Sequence, residues 1–378
     1  MRADPLSLLR TRTSAKWREY PDDVLPLWVA EMDYPLAAPI AEALIAAVHR
    51  SDTGYIGTDR RLPDAFAAFA AERWNWAVDP RQVTTTTDVS VAIVEVLRAI
   101  ISPGDSVVVS PPVYPPFFEL LPEAGAATVE VPLRHDSGGW SIDLDGLERA
   151  FAAGAKAYLL CNPHNPLGHP HPASQLVALA SLAAKYGVTV VSDEIHGPLA
   201  LPGATFTPFL SVSDEARAFG VCVTSASKAF NLAGLKCAII VTASTVNAAL
   251  VAALPDEVVA RTGLFGQLAS VAAFESGVAW LDGAIRALDE SRALLRDLLT
   301  RHLPEVGYEP PAASFLAWLD FRALDWGDDP AVRALERGRV ALTPGPSFGT
   351  GGTGHLRLNF ACSPELLDEA IRRLASAR

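Results

Sequence analysis

The sequence predicts an α/β protein with a large three-layer domain, built on a mostly parallel sheet, and a smaller α+β domain. Short apolar runs alternate with segments of helical spacing between about residues 82 and 241, which is typical of parallel crossover units. Polar clusters follow the carboxyl ends of those runs, and a long amphipathic stretch then leads into a second body. We place an N-terminal arm, part of the small domain, at residues 1–37, the large domain at 38–275 and the small domain at 276–378.

Composition narrows the possible functions. The 378 residues are 50% hydrophobic and 20% charged, with a net charge of -12 and no basic stripe, which argues against nucleic-acid binding. No apolar run approaches the ~18 residues of a membrane span, and the N-terminus has no secretory h-region, so we expect a soluble cytoplasmic protein. The four cysteines show no Cys-x-x-Cys spacing and are interpreted as core residues, with no metal site.

The first half of the chain predicts these elements in order. An irregular arm at 1–35 precedes helices over 38–50 and 62–76, which flank a loop that presents Tyr55. Strands are expected at 82–87, 106–109, 128–132, 157–161 and 188–192, because these runs are apolar or β-branched. Helices are expected between them at 89–101, 118–123, 144–153 and 173–186, with a turn at 135–139.

The second half begins with strands at 219–223 and 237–241. Helical spacing then dominates residues 245–302, with a break near 263–266. Short strands follow at 315–319, 340–342 and 355–361, a glycine-rich mobile loop is expected at 344–354, and Pro364 begins the terminal helix.

Lys228 is unusual because it lies between two apolar strands and is flanked by small hydroxyl residues. Burial lowers the pKa of a lysine, and a neutral amine can form a Schiff base with an aldehyde. Asp193 ends a buried strand, where a carboxylate needs a partner such as the protonated ring nitrogen of pyridoxal phosphate. The alternatives are a surface lysine on a loop and an aspartate that caps a helix or forms a turn.

Other polar residues suit the same ligand. Asn165, held between prolines, is placed to donate to a phenolate oxygen, and Tyr114, also flanked by prolines, to stack on a planar ring. Both are equally compatible with ordinary loop positions. Arg357 interrupts an apolar strand, so its guanidinium is expected to clamp a carboxylate, or else to form an internal ion pair. Ser225 and Lys236, with the N–H groups that start the helix at Val89, are placed to hold a phosphate.

Four motifs occur in an order that is similar to a known family. They are Asn-Pro-x-Asn-Pro-x-Gly at 162–168, Ser-Asp-Glu-Ile-His at 192–196, Ser-x-Ser-Lys-x-Phe-Asn-x-x-Gly at 225–234 and Arg-Leu-Asn-Phe-Ala at 357–361. The chain resembles the fold-type-I pyridoxal phosphate enzymes of the class I/II aminotransferase family over nearly its whole length. Residues 12–17, 28–35 and 112–117 resemble the cystathionine β-lyase-like branch, which cleaves carbon–sulfur bonds.

The resemblance implies a role for each matching residue. Lys228 would hold pyridoxal 5'-phosphate, Asp193 would pair with its ring nitrogen, Asn165 would contact its ring oxygen and Tyr114 would stack on it. Ser225 and Lys236 would bind the phosphate, and Arg357, together with Asn165 and Ala30, would bind the amino-acid substrate. Tyr55 would reach the cofactor of the neighbouring subunit, which implies a homodimer with shared sites.

The sequence departs from the usual aminotransferase pattern at three positions. His196 replaces a common tyrosine, as in the lyase branch, and Lys236 replaces a common arginine. Asp88, next to Val89, stands where a glycine commonly helps to cradle the phosphate, and its carboxylate would repel a phosphate unless it turns away.

The resemblance implies β-elimination from S-substituted L-cysteines such as cystathionine. An aminotransferase is the first alternative, since both reactions use the same cofactor link. A non-enzymatic regulator is the second, and it is disfavoured because a binding module has little need of Lys228, Asp193 and Arg357 together. Trp28 and Trp280 are candidates for the lining of the substrate pocket.

Overall fold

The computed structural model describes residues 1–57 and 59–378. Its strands are Leu25–Pro26 (β1), Val83–Thr86 (β2), Ser106–Val109 (β3), Ala127–Glu130 (β4), Arg134–Asp136 (β5), Gly139–Ser141 (β6), Ala157–Cys161 (β7), Thr189–Asp193 (β8), Gly220–Thr224 (β9), Ala238–Val241 (β10), Gly307–Tyr308 (β11), Leu316–Asp320 (β12), Val340–Ala341 (β13), Thr343–Pro344 (β14) and His355–Asn359 (β15).

The α-helices alternate with these strands through the first two thirds of the chain. They are Leu6–Leu9 (α1), Ala15–Arg18 (α2), Ala38–His49 (α3), Arg61–Trp74 (α4), Val89–Ile100 (α5), Phe117–Glu123 (α6), Leu144–Ala152 (α7), Ala173–Tyr186 (α8), Asp214–Phe219 (α9), Ala226–Ala229 (α10), Thr245–Ala252 (α11), Asp256–Ala260 (α12), Leu264–Ser276 (α13), Val278–His302 (α14), Pro330–Glu336 (α15) and Pro364–Ser376 (α16).

The main sheet has seven strands in the order β2-β10-β9-β8-β7-β3-β4. All neighbours are parallel except for β10, which runs antiparallel to both β2 and β9. Every residue of β7, β9 and β10 is buried, as expected for strands covered by helices on both faces. The predicted α/β architecture with a mostly parallel sheet is confirmed.

The polar motifs follow strands that lie side by side. Cys161 at the end of β7 is paired with Asp193 at the end of β8, which is in turn paired with Val223 in β9. Because these three strands are parallel, the segments that leave them start from the same edge of the sheet. A ligand site at the carboxyl edge of a parallel sheet is therefore built from residues far apart in sequence.

A second, antiparallel sheet has the order β11-β12-β15-β14, and the N-terminal arm joins this region through the parallel pair β1–β13.

The segments that follow β7 and precede β12 meet at Gly168, whose carbonyl accepts hydrogen bonds from the N–H groups of Ala312 and Ala313. Gly168 has φ +60, and a Cβ there would lie 2.4 Å from the Ala313 oxygen. Only glycine allows both this backbone conformation and this close approach. The domain boundaries remain a prediction.

The structure corrects several local predictions. A hairpin, β5–β6, occupies the place of the turn expected at 135–139, and the helices α9 and α10 were not predicted. The arm expected to be irregular contains α1, α2 and β1, and the glycine-rich loop contains a 3-10 turn at Gly345–Phe348. These elements have 2 to 6 residues, too few for hydrophobic periodicity to mark them.

Within the described part of the chain, no single helix is both long and apolar enough to span a bilayer. The pair α13 and α14, bent by 81° at its junction, meets the length and composition criteria only when the two helices are taken together. Ala269, Ala273 and Phe274 of α13 are buried in the protein core.

The N-terminal arm is anchored by a buried ion pair. Lys16 Nζ lies 2.7 Å from Asp33 Oδ1, and both side chains have 0% exposure. Burial raises the pKa of Asp33 in spite of the nearby Lys16 ammonium. The free energy lost when this carboxylate leaves water is therefore larger than the free energy gained from its attraction to Lys16. The pair therefore specifies the position of the arm more than it stabilises the fold.

Lys16→Met is expected to lower the free energy of unfolding by about 3–5 kcal/mol, because it leaves the Asp33 carboxylate buried without its partner. The double variant Lys16→Met/Asp33→Leu is expected to recover most of that loss. Urea unfolding followed by circular dichroism measures both values. A double variant no more stable than Lys16→Met would contradict this account of the pair.

Candidate active site

A cavity of about 410 Å³ opens at the carboxyl edge of the main sheet. It brings together nearly all of the residues that the sequence predicted for the site. They are Ala30, Asp88, Val89, Tyr114, Asn165, Asp193, His196, Ser225, Lys228, Lys236 and Arg357. Trp28 also lines the cavity, whereas Trp280, predicted with it, does not and instead donates to the Pro35 carbonyl.

Tyr55 lies apart from this cavity. Its side chain is 99% exposed on the loop that connects α3 and α4. The predicted contact of Tyr55 with a neighbouring subunit stays a prediction.

A second cavity, of about 540 Å³, is larger but contains none of the predicted site residues. It lies between the β5–β6 hairpin and the second sheet, with Trp140, Tyr308 and Trp318 among its walls. The buried polar atoms of this region that lack partners, such as Tyr308 Oη and Trp318 Nε1, have almost no accessible surface, so they do not face the open space. Cavity size is therefore a poor guide to the chemistry of this protein.

Lys228 projects into the smaller cavity from the short helix α10. Its Nζ donates a 3.1 Å hydrogen bond to the carbonyl oxygen of Ala30. Burial, followed by the positive charge of Arg357, lowers the pKa of Lys228 to about 8. The amine is thus much closer to its neutral, nucleophilic form at neutral pH than an exposed lysine is.

Asp193 lies at the end of β8 on the floor of the cavity. Its Oδ1 accepts a 3.1 Å hydrogen bond from the Ile195 N–H. Burial raises the pKa of Asp193 to about 7, and the Ile195 hydrogen bond and the Lys228 charge only partly oppose that rise. Among residues 1–57 and 59–378, no cationic side chain lies within ion-pair distance of this carboxylate. The site thus holds an acidic group that lacks a positive partner.

Arg357 enters the cavity from β15 of the second sheet and is 5% exposed. Its guanidinium donates to Asn165 Oδ1 at 3.1 Å, to the Trp28 carbonyl at 3.0 Å and to Thr343 Oγ1 at 3.1 Å. Burial lowers the pKa of Arg357 to about 10. In the described chain it has no carboxylate partner within ion-pair distance, so the internal ion pair considered as an alternative is absent there. A buried guanidinium without an anion is suited to binding one.

The Asn165 amide is oriented by this contact. Because Oδ1 accepts from Arg357, the Nδ2 group remains available as a donor. Its backbone N–H donates to Cys161 Sγ at 3.3 Å, which fixes the loop at the end of β7.

Tyr114 and His196 complete the walls around the carboxylate. Burial raises the pKa of the Tyr114 phenol, so the hydroxyl is protonated at neutral pH. The His196 Nδ1 lies 2.9 Å from Ser314 Oγ, and burial lowers the pKa of His196 to about 3. His196 is therefore a neutral imidazole that adds no charge to the site.

The end of the cavity where α5 begins differs from the prediction in detail. Ser225 Oγ donates to the Cys237 carbonyl at 2.6 Å and accepts from the Ser227 N–H, so its one proton is already engaged. Ser227, which also lines the cavity, was missed by sequence reasoning. The Asp88 carboxylate is turned toward Lys236, whose Nζ donates to its Oδ2 at 3.0 Å.

A strap formed by residues 28–32 contributes Trp28, Val29 and Ala30 to the cavity wall, and the hydrogen bonds that hold it were not predicted. Each of its five carbonyl oxygens accepts a hydrogen bond from at least one side chain. The donors are Arg357 and Thr343 for residue 28, Asn359 for residues 29 and 31, Lys228 for residue 30, Lys16 for residue 31, and Asn231 and Arg12 for residue 32. Trp28 and Ala30 were predicted as site residues, but the side chains that hold the strap were not. Asn231 and Asn359, each close to a predicted site residue, are the signal in the sequence for those donors.

Comparison with known proteins places this site in context. The model of the family described as "Aminotransferase class I and II" matches residues 20–374. A Mycobacterium leprae protein, provisionally named cystathionine beta-lyase, is 45% identical over 98% of this chain and 96% of its own length. The cystathionine beta-lyase PatB of Bacillus subtilis is 37% identical, over 94% of this chain and 92% of that protein.

A crystal structure from Corynebacterium diphtheriae, provisionally described as a PLP-dependent beta-cystathionase, superimposes with a TM-score of 0.94. It is 35% identical and covers 100% of this chain and 98% of that one. The resemblance inferred from the four motifs is therefore confirmed over the whole fold. Together with the arrangement of Lys228, Asp193 and Arg357 in one cavity, these matches show that the chain belongs to the class I and II aminotransferase family.

Proposed function

We propose that the protein is a pyridoxal 5'-phosphate-dependent carbon–sulfur β-lyase that acts on cystathionine or related S-substituted L-cysteines. The observation that carries the proposal is the meeting of Lys228, Asp193 and Arg357 in one buried cavity. In the overall reaction the Cα–H and Cβ–S bonds break, the sulfur leaves as a thiol, and the remaining aminoacrylate takes up water to give pyruvate and ammonia.

The residues of the cavity fit this cofactor. Asp193 is a buried acid that has no cationic partner among the described residues, which suits a protonated pyridine nitrogen. Lys228 supplies an amine with a lowered pKa for the aldehyde carbon, and Asn165 Nδ2 supplies a donor for the ring oxygen. Tyr114 supplies an aromatic face beside the ring. When bound, the cofactor would accept the electron pair released from Cα.

The remaining steps belong to side chains of this chain. Arg357 binds the α-carboxylate of the substrate and so orients the Cα–H bond toward Lys228. Lys228, whose amine would hold the cofactor aldehyde in the absence of substrate, would take the Cα proton as a general base. Asp193 would stabilise a proton on the ring nitrogen of the bound cofactor, and the neutral His196 adds no charge to the site.

Production of pyruvate and thiol from cystathionine, without any added 2-oxo acid, tests the proposal. We expect one pyruvate for each thiol, over many turnovers. A protein that stops after one turnover per site, and that resumes when a 2-oxo acid is added, would instead be an aminotransferase, which is the alternative within the same family. A purified protein that binds no pyridoxal phosphate would exclude both.

Adduct formation with free pyridoxal is expected to depend on pH through Lys228. Lys228 has a pKa of about 8, so roughly a tenth of its amine is neutral at pH 7. For an ordinary lysine the neutral fraction at pH 7 is about three in ten thousand. The neutral fraction grows as pH rises, so the rate should increase about tenfold per unit below pH 8 and level off above it. Stopped-flow absorbance of the cofactor-free protein measures this profile. A rate that still climbs steeply at pH 10 would show that the amine is not perturbed.

We further propose a homodimer whose subunits share residues between sites. Supporting it, α3 and the loop after it expose apolar side chains: Ile45 is 56% exposed, Val48 is 60% exposed and Tyr55 is 99% exposed. An apolar surface of this kind, adjacent to the predicted contact of Tyr55, suits a second copy of the chain.

A cytoplasmic location is supported by the four cysteines, all of which are free and buried.

A further inference from the structure

Asp88 accepts hydrogen bonds from two groups of the kinds that bind phosphate, one helix-start N–H and the Lys236 ammonium. It is the N-cap of α5, and its Oδ1 accepts a 2.9 Å hydrogen bond from the Val91 N–H. Its Oδ2 accepts a 3.0 Å hydrogen bond from Lys236 Nζ. Helix-start N–H groups and a lysine ammonium are the usual protein ligands of phosphate. The Asp88 carboxylate thus uses one helix N–H and the lysine ammonium at the end of the cavity where the phosphate is expected.

Charge at this end of the cavity is balanced by the same pair. Apart from Lys236, the neighbouring side chains, Ser225, Ser227 and Cys237, are neutral. The other cations of the cavity have different partners, since Lys228 donates to the Ala30 carbonyl and Arg357 to Asn165. The helix contributes a partial positive charge of about 0.5. A phosphate monoester with a charge of roughly -1.5 to -2 therefore meets, at this end of the cavity, a lysine already paired with a carboxylate and a helix start of about +0.5.

The backbone of Lys236 keeps it beside Asp88. Lys236 has φ +57, and its carbonyl accepts a 2.9 Å hydrogen bond from the Gly263 N–H. A Cβ on Gly266 would lie 2.3 Å from the Leu235 oxygen, so the start of α13 presses directly on this backbone. The lysine Cα is fixed while its side chain remains 57% exposed, so the ammonium stays free to turn from Asp88 to another anion.

Stability does not explain the pair. Ion pairs this exposed contribute little to folding, and asparagine caps a helix as well as aspartate does. The negative charge of Asp88 is therefore a feature of the ligand site and not a requirement of the fold.

We propose that Asp88 is an affinity-determining residue that competes with the cofactor phosphate for Lys236 and for the start of α5. The phosphate then adds less to cofactor affinity than it would without the charge of Asp88. This inference rests on the proposed function, because it assumes that pyridoxal 5'-phosphate occupies the cavity.

The test compares pyridoxal 5'-phosphate with pyridoxal, which lacks the phosphate. Dissociation constants for the cofactor-free, full-length protein are measured from the absorbance of the lysine adduct, with no turnover required. Asp88→Asn removes the charge and keeps the cap. Asp143→Asn is the matched control. Like Asp88, Asp143 caps a helix, accepting from the Gly146 N–H, and pairs with a cationic side chain, in this case Arg134.

We expect Asp88→Asn to tighten binding of pyridoxal 5'-phosphate about 10- to 100-fold and to leave binding of pyridoxal within twofold. Asp143→Asn should change neither value. In Asp88→Asn/Lys236→Met the gain should be lost, because the freed ammonium is absent.

Unchanged or weaker phosphate-ester binding in Asp88→Asn would overturn the inference while leaving the proposed function intact, and so would an equal change for both aldehydes. If neither aldehyde formed an adduct with any variant, the proposed function itself would fail.

Discussion

Lys228→Ala is expected to lower kcat for cystathionine cleavage at least about 1,000-fold, which corresponds to ~4 kcal/mol in the activation barrier. The substitution removes the one amine of the described cavity whose pKa is lowered toward neutrality, and with it both the covalent link to the cofactor and the base for the Cα proton. Steady-state pyruvate production and the absorbance of the lysine adduct measure the two losses separately.

The fold should tolerate this change. Among the described residues, Lys228 Nζ donates a hydrogen bond only to the Ala30 carbonyl, and truncation removes an ammonium that is costly to bury. Lys185→Ala serves as a control, because that lysine is exposed and pairs with Glu148 on the surface. Full lyase activity in Lys228→Ala, with the control unchanged, would exclude the assigned role of Lys228.

Arg357→Ala is expected to raise KM for amino-acid substrates about 100-fold or more. It removes a buried guanidinium that has no carboxylate partner in the described chain and is thus available to the substrate. Arg357→Lys should recover only part of the loss, because an ammonium cannot form the two parallel hydrogen bonds of a guanidinium.

Comparison of the substrate with its α-carboxamide separates recognition from structural damage. The unsubstituted protein should prefer the carboxylate strongly, and Arg357→Ala should lose that preference while its residual activity toward the amide persists. Arg322 lies in the turn that follows β12, with an exposed side chain, so Arg322→Ala should behave like the parent protein. If the preference for the carboxylate survived in Arg357→Ala, another residue would have to be the clamp.

Much of the candidate site followed from the sequence because its residues stand at strand ends. Asp193 and Asn165 each follow an apolar run, and the alternation of strand and helix requires such runs to lie parallel. Arg357 was found by a different signal, a charged residue inside an otherwise apolar strand. These are local patterns, so they can be recognised in the sequence without knowledge of the tertiary structure.

The hydrogen-bond partners within the site were much less predictable. The proton of Ser225, expected to face a phosphate, is used by the carbonyl of Cys237, which lies 12 residues away. The strap at residues 28–32 depends on donors as distant as Arg357, 329 residues from Trp28. Such partners are chosen by how the elements pack, and hydrophobic periodicity carries no information about them.

The sequence by itself determined the parallel sheet, the edge where the site lies, and the chemical type of nearly every residue there. The tertiary structure alone decided which charges meet. Asp88 and Lys236, 148 residues apart, form a pair that no local pattern indicates, because it depends on how α5 and the segment after α10 pack around the same cavity. Secondary structure follows from neighbours in the chain, whereas the electrostatics of a site follow from neighbours in space.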